Sequence, residues 1–89
     1  MEREGMHKYV VVSNHTGEDC VRALKETLAI GYLTHYEWGC KDGVHTGWAV
    51  LEAESKAEAM LSVPPFLRSQ ANVVQLTKFD PEKVRSMHP

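Results

Sequence analysis

Between two aromatic-rich runs lies Lys41-Asp42-Gly43-Val44, and its Asp-Gly pair is the strongest short-range signal for a β-hairpin. With Asp42 and Gly43 as the turn residues, the register follows across Thr34 to Glu54. Lys41 faces Val44, Cys40 faces His45, Trp38 faces Gly47, Tyr36 faces Ala49 and Thr34 faces Leu51. Side chains alternate between the two faces of a strand. One face therefore carries Tyr36, Trp38, Cys40, His45, Gly47, Ala49, Leu51 and Ala53, with large aromatics opposite small residues. That pattern suits close packing against helices and reads as core. The other face carries His35, Glu37, Thr46, Trp48, Val50 and Glu52, and reads as a surface with a task of its own.

The remaining elements arrange themselves around this hairpin. His7 to Asn14 is a β-branched run, apolar on both faces from Val10 to Val12, as in a central strand. Thr16 and Asp19 make a capping-box-like start for a helix from Gly17 to Ile30, with Val21, Leu24 and Leu28 as its apolar stripe. Gly31 is placed to close it as the C′ residue. After the hairpin, Ser55 and Glu58 form a capping box that opens a second helix over Lys56 to Ser62. Pro64-Pro65 stops it, and Phe66 and Leu67 turn back to the core. Asn72 to Phe79 is the last strand. Asp80-Pro81-Glu82 then reads as an N-cap followed by proline at the first helical position, opening a short tail helix over 80–87.

The order is β-α-β-β-α-β plus a tail. It predicts an α+β fold of the ferredoxin-like kind: a four-stranded antiparallel sheet, strands one and three in the middle, two helices on one face and a short C-terminal helix. With 89 residues the chain is expected to be a single domain, 1–89. That is close to the lower limit for a self-sufficient core, so self-association is a natural source of further buried area. The net charge of −2 gives no reason to expect a nucleic-acid partner. No apolar run reaches the length of a membrane span. Residues 1–6 read as a frayed, charged lead-in without the apolar segment of a secretory signal, with Met6 a second possible start. The two cysteines are expected as thiols in a cytoplasmic protein.

In this element order, in the passage Gly47-Trp48-Ala49-Val50-Leu51-Glu52-Ala53-Glu54-Ser55 and in Val73 to Phe79, the chain resembles the small dimeric α+β-barrel proteins, many of them uncharacterised. The resemblance implies a homodimer in which two sheets pack through their helix-free faces, giving Trp48 and Val50 a partner surface. In enzymes of that superfamily this face holds small aromatic or polyketide-like substrates. The implied alternative is a small-molecule-binding protein or cofactor-free enzyme. His35 and Glu37 would be its acid–base pair in a cleft with Trp48 and either Tyr9 or Glu52.

The topology also gathers chemistry at one end of the sheet. Strand one ends where helix one begins, strand two ends and strand three starts, so His15, Cys20, Cys40 and His45 converge. Cys40 and His45 are expected as a cross-strand pair with Cβ atoms ~5 Å apart. Cys20 falls in the first turn of helix one, where the positive end of the helix dipole favours an anion. Two cysteines and two histidines suit Zn²⁺, with Ni²⁺ and Cu⁺ as other ions of matching preference. Ferredoxin-like metallochaperones hold their ion in the same loop, but with two cysteines two residues apart, which this chain lacks. A Cys20–Cys40 redox pair follows from the same proximity. The expected function is that of a small homodimeric binding protein, metal-binding in its sharpest form.

Overall fold

The run His7–Asn14 forms β1, and its β-branched residues are flanked by antiparallel neighbours on both sides. On one side lies β3, Thr46–Ala53, with Val11 opposite Ala49. On the other lies β4, Asn72–Gln75, with Val11 opposite Val73. The short β2, Tyr36–Trp38, pairs with the outer edge of β3. The sheet therefore has four antiparallel strands in the order β2-β3-β1-β4, with β1 and β3 inside as the element order requires. The structure is a computed structural model describing residues 5–89, so most of the expected lead-in lies outside the described residues.

Among the described residues, three helices accompany the sheet: α1 over Cys20–Ala29, α2 over Lys56–Met60 and α3 over Pro81–Arg85. Single 3₁₀ segments occupy Leu33–His35, Cys40–Asp42 and Pro65–Gln70. Tyr9, Val11, Tyr36, Ala49 and Ala53 on one sheet face share a buried cluster with Ala23 of α1, Ala59 of α2, Val63 and Leu67. The opposite face leaves Trp48, Val50 and Val74 exposed. Among the described residues, no helix is long and apolar enough to cross a membrane.

Local signals explain where several elements begin and end. Gly31 takes φ +86°, and the Gly31 and Tyr32 amides donate to the carbonyls of Leu28 and Thr27 at 2.9 and 3.0 Å. This paired closure uses the left-handed conformation that glycine adopts without steric penalty. Ser55 Oγ accepts from the Glu58 amide at 3.1 Å, while Glu58 reaches back to the Glu54 amide rather than to Ser55. Asp80 accepts from the Glu82 amide at 3.0 Å, with Pro81 at the first helical position.

Other expectations need correction. Helix α1 begins at Cys20, not Gly17, and Val21 and Leu28 point to solvent. Its buried stripe is Ala23 and Thr27, whose hydroxyl donates to the Ala23 carbonyl at 2.7 Å. The hydroxyl can be buried because that bond satisfies it. Helix α2 ends at Met60 and β4 at Gln75, both earlier than expected.

The hairpin register holds where strands exist: Tyr36 opposes Ala49, Glu37 opposes Trp48 and Trp38 opposes Gly47. A Cβ on Gly47 would stand 2.6 Å from Trp38 Cζ3, so the tight aromatic packing requires glycine there. Beyond Trp38 the ladder opens into a wider loop. The Gly39 amide donates to Thr46 and the Val44 amide to Gly39, enclosing the 3₁₀ segment that Gly43 closes at φ +82°. Asp42 and Gly43 do sit in the turn, but Cys40 and His45 are not ladder partners. Thr34 does not pair with Leu51, because Leu33–His35 coils before β2 starts.

Candidate metal centre

The site is assembled by the far end of the central strand pair. The register places Asn14 opposite Thr46, and one residue further the His15 amide donates to the His45 carbonyl at 3.1 Å. The two histidines, rather than Cys40 and His45, are thus the cross-strand neighbours. Asn14 fixes this end of the sheet: its Oδ1 accepts from Thr46 Oγ1 at 3.0 Å and its Nδ2 donates to the Gln70 carbonyl at 2.9 Å. The chain then turns through Thr16 and Gly17, whose carbonyls accept from the Asp19 and Cys20 amides. Cys20 lies on the same helical stripe as Ala23 and Thr27, spaced i, i+3 and i+7, which turns it toward the sheet. Cys40 arrives from the 3₁₀ segment of the hairpin loop.

One ligand atom from each of His15, Cys20, Cys40 and His45 lies within 4.8 Å of all the others. Cys40 Sγ approaches His15 Nε2 to 3.4 Å, and the two imidazole rings are centred 5.5 Å apart. His15 is buried and the other three are half-buried. The Trp38 ring stands 6.1 Å from the His15 ring, and His45 Nε2 faces Gly17, where a Cβ would meet it at 3.2 Å. The Nδ1 atoms of both histidines are buried without a hydrogen-bond partner. Orphaned buried nitrogens are costly; on His15 the nitrogen that faces Cys40 is Nε2, so its orphaned Nδ1 points away from that contact.

Burial favours the uncharged forms of His15 and Cys40 in the absence of a cation. Burial holds the His15 imidazole below the usual histidine range, the neighbouring His45 adds to this, and Asp19 opposes it. Burial likewise pushes the Cys40 thiol up, reinforced by hydrogen bonding and charge repulsion from Cys20 and partly offset by a backbone hydrogen bond. Both cysteines are free thiols. A divalent cation would reverse this for the sulfurs, since metal binding displaces the thiol proton. Tetrahedral zinc with Zn–S near 2.3 Å and Zn–N near 2.1 Å sets ligand atoms about 3.3–3.8 Å apart. The His15–Cys40 pair already meets that spacing, and the widest pair needs to close by about 1 Å. The cluster can hold a metal ion such as zinc.

The residues of the second expected site belong to different elements. His35 belongs to the 3₁₀ segment, its ring 5.1 Å from that of Tyr32, whereas Glu37 sits on β2 opposite Trp48. His35 lines an open groove of about 420 Å³ with Lys8, Tyr32, Val50, Glu52 and Glu58, and Glu37 is not part of it. Tyr9 is buried on the helix-covered face and so cannot join a cleft on the other. Trp48 and Val50 do lie together on the helix-free face, where Trp48 covers Gly39.

Sequence reasoning named all four residues of the cluster and missed the ones that position them: Asn14, Thr46, Gly17 and Trp38. One signal was available. His15 and Cys20, and then Cys40 and His45, enclose equal intervals in mirrored order, as expected when two loops face each other across one site. Comparison with protein-family models, curated proteins and solved structures finds no match to this chain.

Proposed function

We propose that this protein binds a metal ion through His15, Cys20, Cys40 and His45, with zinc the first choice and nickel the second. The observation that carries this reading is the convergence of four donor atoms, two sulfurs and two imidazole nitrogens, within 4.8 Å. Two thiolates would neutralise a divalent cation, and a Cys₂His₂ set matches the borderline softness of zinc. Four protein ligands fill a tetrahedral shell and leave no open position, so the site suits holding an ion better than catalysis on it. The ligands come from three segments, so a bound ion would tie the end of β1, the start of α1 and the hairpin loop together. Binding to the folded state alone would stabilise the protein as the ion concentration rises above its dissociation constant. A cobalt titration tests this reading. Tetrahedral ligand-field bands with thiolate-to-cobalt charge transfer, saturating at one equivalent and bleached by zinc, are expected. A spectrum of octahedral aqueous cobalt throughout would refute it.

The wider reading is a ferredoxin-like βαββαβ plait in a cytoplasmic homodimer. The strand order with β1 and β3 inside supports the plait. The exposed Trp48, Val50 and Val74 on the helix-free face support the dimer, because a monomer gains nothing by exposing them together.

A further inference from the structure

Cys20 and Cys40 are the chain's two cysteines, so a disulfide within one chain can join only this pair. Both are free thiols and half-buried, which leaves their sulfurs within reach of a small oxidant. The cluster divides into two halves. The imidazoles belong to the central strand pair, joined at this end by the hydrogen bond from the His15 amide to the His45 carbonyl. The sulfurs belong to segments outside the ladder: Cys20 opens α1, and Cys40 opens the 3₁₀ segment of the hairpin loop. Their Sγ atoms lie within 4.8 Å of each other. Tetrahedral zinc would set them about 3.8 Å apart, and a disulfide about 2 Å apart. The closure to a disulfide is under about 3 Å, the distance that one change of staggered rotamer moves a sulfur.

We infer that the cluster is a redox-gated metal site: a hydroperoxide joins Cys20 to Cys40, and the disulfide releases the ion that the two thiolates held. The inference rests on the metal-binding reading above and adds how the ion leaves. With hydrogen peroxide, one thiolate attacks an oxygen, and an S–O bond forms as the O–O bond breaks, giving a sulfenic acid and hydroxide. The second thiolate attacks that sulfur, and the S–S bond forms as the S–O bond breaks, releasing a second hydroxide. The sulfurs lose two electrons, the peroxide oxygens gain them, and two protons from solvent turn the hydroxides into water. The disulfide removes two of the four donors and both negative charges, leaving two imidazoles alone to hold a divalent cation. Ion and disulfide therefore exclude each other, so bound zinc protects the thiols and oxidation expels zinc. A dithiol reverses the step by exchange, becoming a cyclic disulfide itself.

The test uses the full chain, loaded with zinc and then treated with hydrogen peroxide. A chromophoric indicator follows zinc release, while intact mass and peptide mapping without reductant follow the sulfurs. The expected results are release of the bound zinc, a mass lower by two hydrogens, and a peptide pair joined through Cys20 and Cys40 of one chain. The oxidised chain should bind zinc at least about 100-fold more weakly than the reduced chain, and dithiothreitol should restore the original affinity. Zinc retained throughout, sulfurs that gain oxygen instead of joining, or joined peptides drawn from two chains would each overturn the gate and leave the metal site standing. A chain that never takes up zinc removes both.

Discussion

His15 Nε2 and Cys40 Sγ, on residues 25 positions apart in the chain, lie 3.4 Å from each other. That is ligand-to-ligand spacing for a tetrahedral ion of zinc's size, reached before any ion is considered. The approach depends on two independent pieces of backbone: the end of the central strand, held by the hydrogen bond from the His15 amide to the His45 carbonyl, and the 3₁₀ segment that carries Cys40. Four consequences can be measured.

Cys40→Ser removes one donor and leaves the hairpin loop's backbone bonds in place. Zinc affinity, measured by competition with a chromophoric chelator, is expected to fall at least about 100-fold. The metal-free variant should stay within about 1 kcal/mol of the unaltered protein in urea unfolding, because Cys40 is only half-buried. Under the proposed homodimer, its self-association should be unchanged.

Gly47→Ala tests the packing beneath the site. The added Cβ would fall 2.6 and 2.7 Å from Trp38 ring atoms and 3.0 Å from Tyr36 Cδ2. Both rings are held by the core, so relief requires the sheet to shift. A loss of about 1–3 kcal/mol in chemical denaturation is expected. A weakened metal site should accompany it, since the Trp38 ring lies beside His15.

Tyr36 supplies a pH dependence whose sign can be worked out. Its hydroxyl is buried and bonded to the Ser62 carbonyl and Oγ at 3.2 and 3.0 Å. Burial raises its pKa above 10, with the Ser62 hydrogen bond opposing and Tyr32 adding to the rise. The folded state then keeps the proton that the unfolded chain gives up. This contribution to stability is complete below pH 10 and is lost as pH rises from there through the folded value. Tyr36→Phe should cost about 1 kcal/mol near neutrality. Its stability curve should also be flatter than that of the unaltered protein above pH 10.

Trp48→Lys places a charge at the centre of the helix-free face, where Val50 is its neighbour on β3 and Val12 its partner across β1. Under the proposed homodimer, self-association followed by sedimentation velocity should be abolished. Zinc stoichiometry should not change, because Trp48 points away from the face that holds the cluster.

Much of this fold was legible because its signals are local and mutually consistent. The Val10–Val12 run, the glycine at 31, the serine cap at 55 and the Asp-Pro-Glu start at 80 each specify a backbone conformation on their own. The four cluster residues were legible for a different reason: element order alone brings those loops to one end. What could not be read were choices made by packing. Helix α1 turns Ala23 and Thr27 inward and leaves Val21 and Leu28 in solvent, a choice its apolar spacing does not reveal. The hairpin loop widens at Gly39, so Cys40 reaches the cluster through a 3₁₀ segment rather than a ladder. His35 lies in a 3₁₀ segment ahead of β2, so it and Glu37 do not share a strand.

The most direct measurement is metal content of the purified protein by elemental mass spectrometry, with reactive thiols counted on the same sample. A metal centre at His15, Cys20, Cys40 and His45 predicts close to one zinc or nickel per chain and both thiols protected until a chelator is added. Metal-free protein with two freely reactive thiols, taking up neither zinc nor nickel on titration, would contradict it.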